Sequence, residues 1–124
     1  MTATAVTVQS ITAPFGAITA GSADFVFAAC DNVNGNSFVC TGREVLVIYN
    51  PSAGALTVTI TSVDDEKGRS EDITAYSLAA ADFAVFGIGL TNAKGWKSSG
   101  GLVVFTGSSA DLDYAVLRLP AGYP

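Results

Sequence analysis

The stretch EVLVIYNPSAGALTVTITSV, residues 44 to 63, constrains the fold more than any other part of the chain. Val45-Leu46-Val47-Ile48-Tyr49 is an unbroken apolar run suited to a strand buried on both faces. Beyond the turn residues Asn50-Pro51-Ser52-Ala53-Gly54, Leu56, Val58 and Ile60 alternate with Thr57, Thr59 and Thr61. Alternation with period two puts the apolar residues on one face of a strand and the threonines on the other. No stretch of about ten residues elsewhere keeps a helical period, so the same grammar governs the whole chain.

Short β-like segments are separated by turn chemistry throughout. Candidate strands are Ala5 to Ser10, Asp24 to Ala29, Glu44 to Tyr49, Ala55 to Ser62, Asp72 to Ser77, Ala84 to Ile88, Leu102 to Thr106 and Asp113 to Leu119. Ala13-Pro14, Asn34-Gly35, Thr41-Gly42, Asn50-Pro51, Lys67-Gly68 and Gly107-Ser108 are among the breaks. About eight strands at this spacing predict one all-β domain, an antiparallel β-sandwich or a jelly-roll-like barrel. Val45, Val47, Leu56, Val58, Ile60, Val103, Phe105, Val116 and Leu119 are expected mainly inside. Ser77 to Phe83, with three consecutive alanines, is the one place where a helical turn fits. Residues 1 to 22 are dominated by Thr, Ala and Ser and read as an extended N-terminal arm or edge strand, with residues 23 to 124 forming the sandwich. Such an arm either packs on its own domain or adds a strand to another subunit.

At 124 residues the chain has the size of one domain. Charged residues make up 14% of it, well below the average of about 25%, and hydrophobic residues 49%. No stretch approaches the roughly 18 apolar residues of a membrane span. A lightly charged surface rich in Thr, Ser, Ala and Gly repels neighbours poorly and favours life in an assembly. The net charge is −5, and the six basic residues, Arg43, Lys67, Arg69, Lys94, Lys97 and Arg118, are scattered. Nucleic acid, which needs clustered cations, is therefore not an expected partner. The N-terminus lacks the basic flank and apolar core of a secretory signal, so synthesis in a cytoplasm is expected. Cys30 and Cys40 are expected as reduced, buried thiols, with a disulfide around the intervening loop as the alternative.

The chain carries no recognisable motif for reactive chemistry. The chain contains no histidine, which removes the commonest general base and metal ligand and every Ser-His or Cys-His nucleophile. Gly87-Ile88-Gly89 starts like a dinucleotide fingerprint, but Asn92 and the lack of a βαβ pattern end the match. Asp64, Asp65, Glu66, Glu71 and Asp72 could offer oxygen ligands to calcium, yet their spacing matches no EF-hand, and a solvated hairpin loop is the better reading. No enzyme activity, cofactor or metal is expected. Among the aromatic residues, Phe83, Phe86, Phe105 and Tyr114 lie in apolar strands and read as core. Trp96, flanked by lysines, reads either as an exposed interface anchor or as a cap on the core. Tyr123 lies in a tail with two prolines and reads as a docking or fraying residue.

The order GREVLVIYN, a turn, ALTVTITS, a polar excursion, DITAYSLAAADFAVFG and GGLVVFTGSSADLDYAVLRLP resembles small β-rich head proteins of tailed bacteriophages, the capsid decoration or cement proteins. The resemblance runs over most of the chain from Glu44 onward. It implies a structural virion protein without enzymatic activity, made in the host cytoplasm. It would bind the capsid exterior through the major capsid protein as a homotrimer and stabilise the shell by bridging capsomers. On this reading the flat threonine face is cheap to bury, because β-branched hydroxyls lose little entropy and little hydration compared with lysines and glutamates. The interface candidates are Val6, Val8, Phe15, Thr57, Thr59, Thr61, Trp96 and Tyr123. The alternative is a phage tail or baseplate module of the same fold that recognises host carbohydrate through exposed aromatic residues.

Overall fold

The computed structural model describes residues 3–11, 23–63, 72–89, 96 and 101–120. Among them run ten strands: β1 (Thr4–Ala5), β2 (Val8–Ser10), β3 (Ala28–Ala29), β4 (Asn36–Val39), β5 (Arg43–Tyr49), β6 (Leu56–Thr61), β7 (Ile73–Leu78), β8 (Phe83–Gly89), β9 (Leu102–Gly107) and β10 (Asp113–Arg118). They form two sheets, ordered β1-β4-β9-β6-β7 and β2-β10-β5-β8, with β3 also paired to β10. The sheets stack as a β-sandwich rather than closing into a barrel. No helix among the described residues is long and apolar enough to cross a membrane.

Alternation decides which side chains fill the space between the sheets. From the first sheet come Phe38, Val58, Ile60, Val103 and Phe105, and from the second Leu46, Ile48, Ala84, Tyr114 and Val116, all buried. The rings of Phe38, Phe105 and Tyr114 run across the gap, with centroids 6.2 Å and 5.3 Å apart. Offset and edge-to-face rings of this kind add to the gain from burying their area. Half-buried Val45, Val47, Leu56 and Leu119 correct the expected core. In β5 both phases are apolar, and the inward phase is Glu44-Leu46-Ile48. Phe83 is a larger correction. It lies on the outer phase of β8 and is 61% exposed, whereas Phe86 packs against the core.

Four further features differ from the sequence reading. Strand β4 runs through a segment rich in polar residues, where Asn36 and Ser37 are themselves buried. The Asn36 side chain accepts a hydrogen bond from the Asp31 N–H at 2.9 Å, which supplies the partner its burial requires. Of Asp24 to Ala29, only Ala28 and Ala29 pair as a strand. The stretch from Ser77 to Phe83 is a strand end followed by a turn, in which Ala81 adopts φ +64°, and not a helical turn. The sheets are mixed rather than purely antiparallel, because β1 runs parallel to β4 and β2 parallel to β10.

These parallel pairs come from the N-terminal segment, which crosses from one sheet to the other between Ala5 and Val8. Backbone bonds from Thr4 to Gly35, Val6 to Ser37 and Ile11 to Arg118 hold the crossing, and Val6 and Val8 pack on the core. The crossing closes one open side of the sandwich. At the opposite side, where β7 and β8 end the sheets, Tyr76 meets Phe86 edge-on at 5.5 Å.

Candidate functional site: an aromatic outer face

Two polar knots fix the geometry of the second sheet. At one end, buried Glu44 accepts bonds from the N–H groups of Thr41 (2.7 Å), Gly42 (3.1 Å) and Arg43 (3.2 Å), from the Thr41 hydroxyl (2.8 Å) and from Arg118 Nε. Burial alone would push this carboxyl up. The bonds from Arg118 and Thr41, with the Arg118 charge, outweigh it and hold Glu44 below the ordinary carboxylate range. At the other end, fully buried Asn50 donates through Nδ2 to the carbonyls of Gly54 (2.8 Å), Leu78 (3.0 Å) and Ala79 (3.2 Å). Its Oδ1 accepts from the Ser52 N–H (3.0 Å) and hydroxyl (2.7 Å). Asn50 thus joins the end of β5 to the end of β7 in the opposite sheet.

Next to Asn50 lies a row of aromatic rings on the outer face of the second sheet. In the β5–β8 register Tyr49 stands opposite Phe83, and the two rings stack at 4.2 Å with planes 13° apart. Phe27 leans on both, at 5.7 Å and 6.4 Å, and Phe25 meets Phe27 edge-on at 5.2 Å. Val47 stands opposite Val85 and Val45 opposite Gly87, so the apolar character continues along both strands. Exposure rises toward the β8 edge: Val45 and Val47 are half-buried, while Phe83 and Val85 are 61% and 63% exposed. Phe25 adds exposed apolar surface to the row, while exposed Val26 lines the cleft beside the N-terminal crossing. Exposed apolar residues gathered in one place, unlike scattered single ones, make this face the candidate site.

The outer face of the first sheet is chemically different. Thr57 and Thr59 are half-buried and Thr61 is exposed; Thr59 stands opposite Thr106, and Thr57 opposite Ser77. Part of this hydroxyl surface serves its own sheet, since Thr59 Oγ1 accepts from the Ala75 N–H and Ser108 Oγ from the Thr57 N–H, both at 3.0 Å. The hydroxyl row thus helps hold β7 to β6 where their register shifts.

The remaining interface candidates do not converge on one place. Val6 and Val8 belong to the crossing segment, and half-buried Trp96 packs against the core. Phe15 and Tyr123 lie outside the described residues, as do Asp64, Asp65, Glu66 and Glu71 of the acidic cluster. Asp72 accepts from the N–H and hydroxyl of Ser62, at 2.8 and 2.9 Å. Among the described residues no group of His, Cys, Asp or Glu could hold a metal ion. Cys30 and Cys40 are both buried thiols, and burial, with the nearby Asp113 charge, pushes Cys30 up to about 12. An open cleft of about 490 Å³, lined by Ala5, Thr7, Gln9, Val26, Ala28 and Tyr114, lies beside the crossing. Tyr114, its one titratable group, is pushed up by burial and then by Cys30, so it is a weak acid suited to no proton transfer near neutrality.

Sequence reasoning missed the aromatic row because Phe83 and Val85 sit in a segment, FAVFGIG, whose two phases are both apolar. The spacing of Tyr49, Phe83 and the Phe25-Val26-Phe27 triplet carries no periodic signal; only strand pairing brings them together. No family model matches the chain, and no curated protein or solved structure matches it either.

Proposed function

We propose that this chain is a structural bacteriophage head protein that binds the exterior of the assembled capsid and stabilises the shell. The observation that carries the reading is the aromatic outer face of Phe25, Phe27, Tyr49 and Phe83 with Val85 beside it. The low charge of the chain supports it too, because an uncharged face loses little hydration on docking. Burying Phe83 and Val85 against a partner returns about 1–2 kcal/mol each, given that each is already partly covered. Many weak contacts of this size suit a protein repeated over a shell. A clamp that binds the finished lattice and not its free subunits makes rupture less favourable by mass action.

A second reading, a tail or baseplate module for host carbohydrate, draws on the same rings. Sugars need hydrogen-bonding side chains placed around an aromatic platform. Val45, Val47 and Val85 continue the row along β5 and β8 and offer hydroxyls no partner, although Asp113 stands opposite Tyr49 on β10; the apolar run favours a protein contact. The test is co-sedimentation with undecorated expanded heads and with unassembled capsid protein. Binding to heads alone is the expected result; binding to neither, with retention on a glycan surface, transfers the chain to the tail reading.

A further inference from the structure

We infer that β8 is a homotypic edge: two copies of this chain pair through antiparallel β8 strands about a twofold axis and merge their second sheets into one. An uncovered edge strand presents alternate N–H and C=O groups as a template on which another strand can pair. Among the described residues the other edges are short or irregular. Strands β1, β2 and β3 span two, three and two residues, and β7 is interrupted by a register shift against β6 and by Ala75 at φ +51°. Strand β8 is different. It keeps register with β5 over all seven residues, contains no charge and no proline, and among the described residues pairs with no strand but β5.

The outward hydrogen-bonding set follows from the ladder. The Asn50 N–H donates to the Asp82 carbonyl at 3.0 Å, which makes that pair hydrogen-bonded. Alternation then aims the N–H and C=O of Phe83, Val85 and Gly87 away from β5. A second strand fits these groups with Val85 opposite Val85 of the second copy, and Phe83 opposite its Gly87. The side chains agree with that register. A Cβ placed on Gly87 would meet nothing within 4 Å, so there is open space over that backbone for the exposed Phe83 ring of the other copy. Large rings commonly cover a cross-strand glycine in this way.

Self-pairing also sets no charge against its twin, because β8 carries none. The pairing also places the two aromatic rows on the same face of one merged sheet. A shell would then be gripped by both rows at once, although the joint itself does not depend on any shell. Its twofold symmetry differs from the threefold assembly that the family resemblance implies.

The test is sedimentation velocity over a concentration series, with site-specific cross-linking. Wild type should pass from monomer to dimer. Val85→Lys, which sets two ammonium groups against each other at an exposed position, should weaken the dimer at least about tenfold, while Thr61→Lys on the other sheet should leave it unchanged. Opposed strand residues have Cα atoms about 5.5 Å apart, within disulfide range. Val85→Cys should therefore oxidise to a covalent dimer, and Phe83→Cys, which faces position 87 and not itself, should oxidise far more slowly. A wild type that stays monomeric into the near-millimolar range, or equal cross-linking of Val85→Cys, Phe83→Cys and Thr61→Cys, would overturn the proposal.

Discussion

Replacing Asn50 should be among the most damaging single changes in the described part of the chain. Asn50→Ala leaves the Leu78 carbonyl, bonded in a fully buried setting, without its donor, at a cost of about 1–3 kcal/mol. The bonds to the Gly54 and Ala79 carbonyls and from Ser52 are partly exposed and add about 0.5–1 kcal/mol each where water does not replace them. With water replacing most of the partly exposed bonds, the total is about 3 kcal/mol. For a chain of 124 residues that corresponds to a fall in Tm of roughly 10–12 °C. Asn50→Asp is nearly isosteric but presents only acceptors to carbonyl oxygens, so at pH 7 it should be worse than Ala. Burial and the carbonyl dipoles would raise the folded pKa of the new carboxyl above its unfolded value. Its deficit should therefore shrink as pH falls, since the protonated acid can again donate. Urea unfolding followed by the fluorescence of Trp96, which packs on the core, reads both variants. If Asn50→Ala costs under about 1 kcal/mol, or Asn50→Asp matches wild type at pH 7, the knot does not hold the sheets together as argued.

Gly35 has φ +79°, and a Cβ there would lie 2.8 Å from Thr106 Oγ1; Gly35→Ala should destabilise by about 1–3 kcal/mol, and adding Thr106→Ala should recover only part of it, because the backbone strain remains. The Asn34 N–H, the Thr4 hydroxyl and further bonds from Asn34 and Val33 hold Asp31 down to about 2, and Glu44 is also lowered. Both contributions are present above the unfolded carboxylate values and disappear as pH falls, so stability should decline from about pH 5 toward pH 2. Glu44→Gln should be less stable at pH 7 and lose less on acidification; a flat wild-type profile over that window would contradict the reasoning. With its pKa near 12, Cys30 should resist alkylation at pH 8 in the native protein and react once urea unfolds it; labelling of native Cys30 at the rate of an exposed thiol would refute its burial.

Where one phase of a strand was apolar and the other polar, the sequence alone placed the residues correctly. Val58 and Ile60 face inward and the threonines outward, as alternation requires. Where both phases were apolar, the inward one was not legible. In β5 the charged residue Glu44 shares the inward phase with Leu46 and Ile48, because Arg118 on β10 stands opposite to satisfy it. In β8 the same ambiguity concealed Phe83, and with it the outer face. Strand β4 was missed for a related reason: its buried polar residues resemble a loop until their partners are known. The parallel crossing of the N-terminal segment depends on pairing between residues far apart in sequence, which local propensity does not encode.

The central claim is that the aromatic outer face grips a finished shell. The most direct measurement is the rupture temperature of expanded heads, heated with wild type or with the double variant Phe25→Ala/Phe83→Ala. Both side chains lie outside the core, at 43% and 61% exposure, so the variant should keep its fold, as a cooperative urea transition with the wild-type slope would show. Wild type should raise the rupture temperature at saturating concentration, and the variant should need roughly 10–100 times more protein for the same effect. A wild type that leaves the rupture temperature unchanged, or a double variant that protects as well as wild type at every concentration, would contradict it.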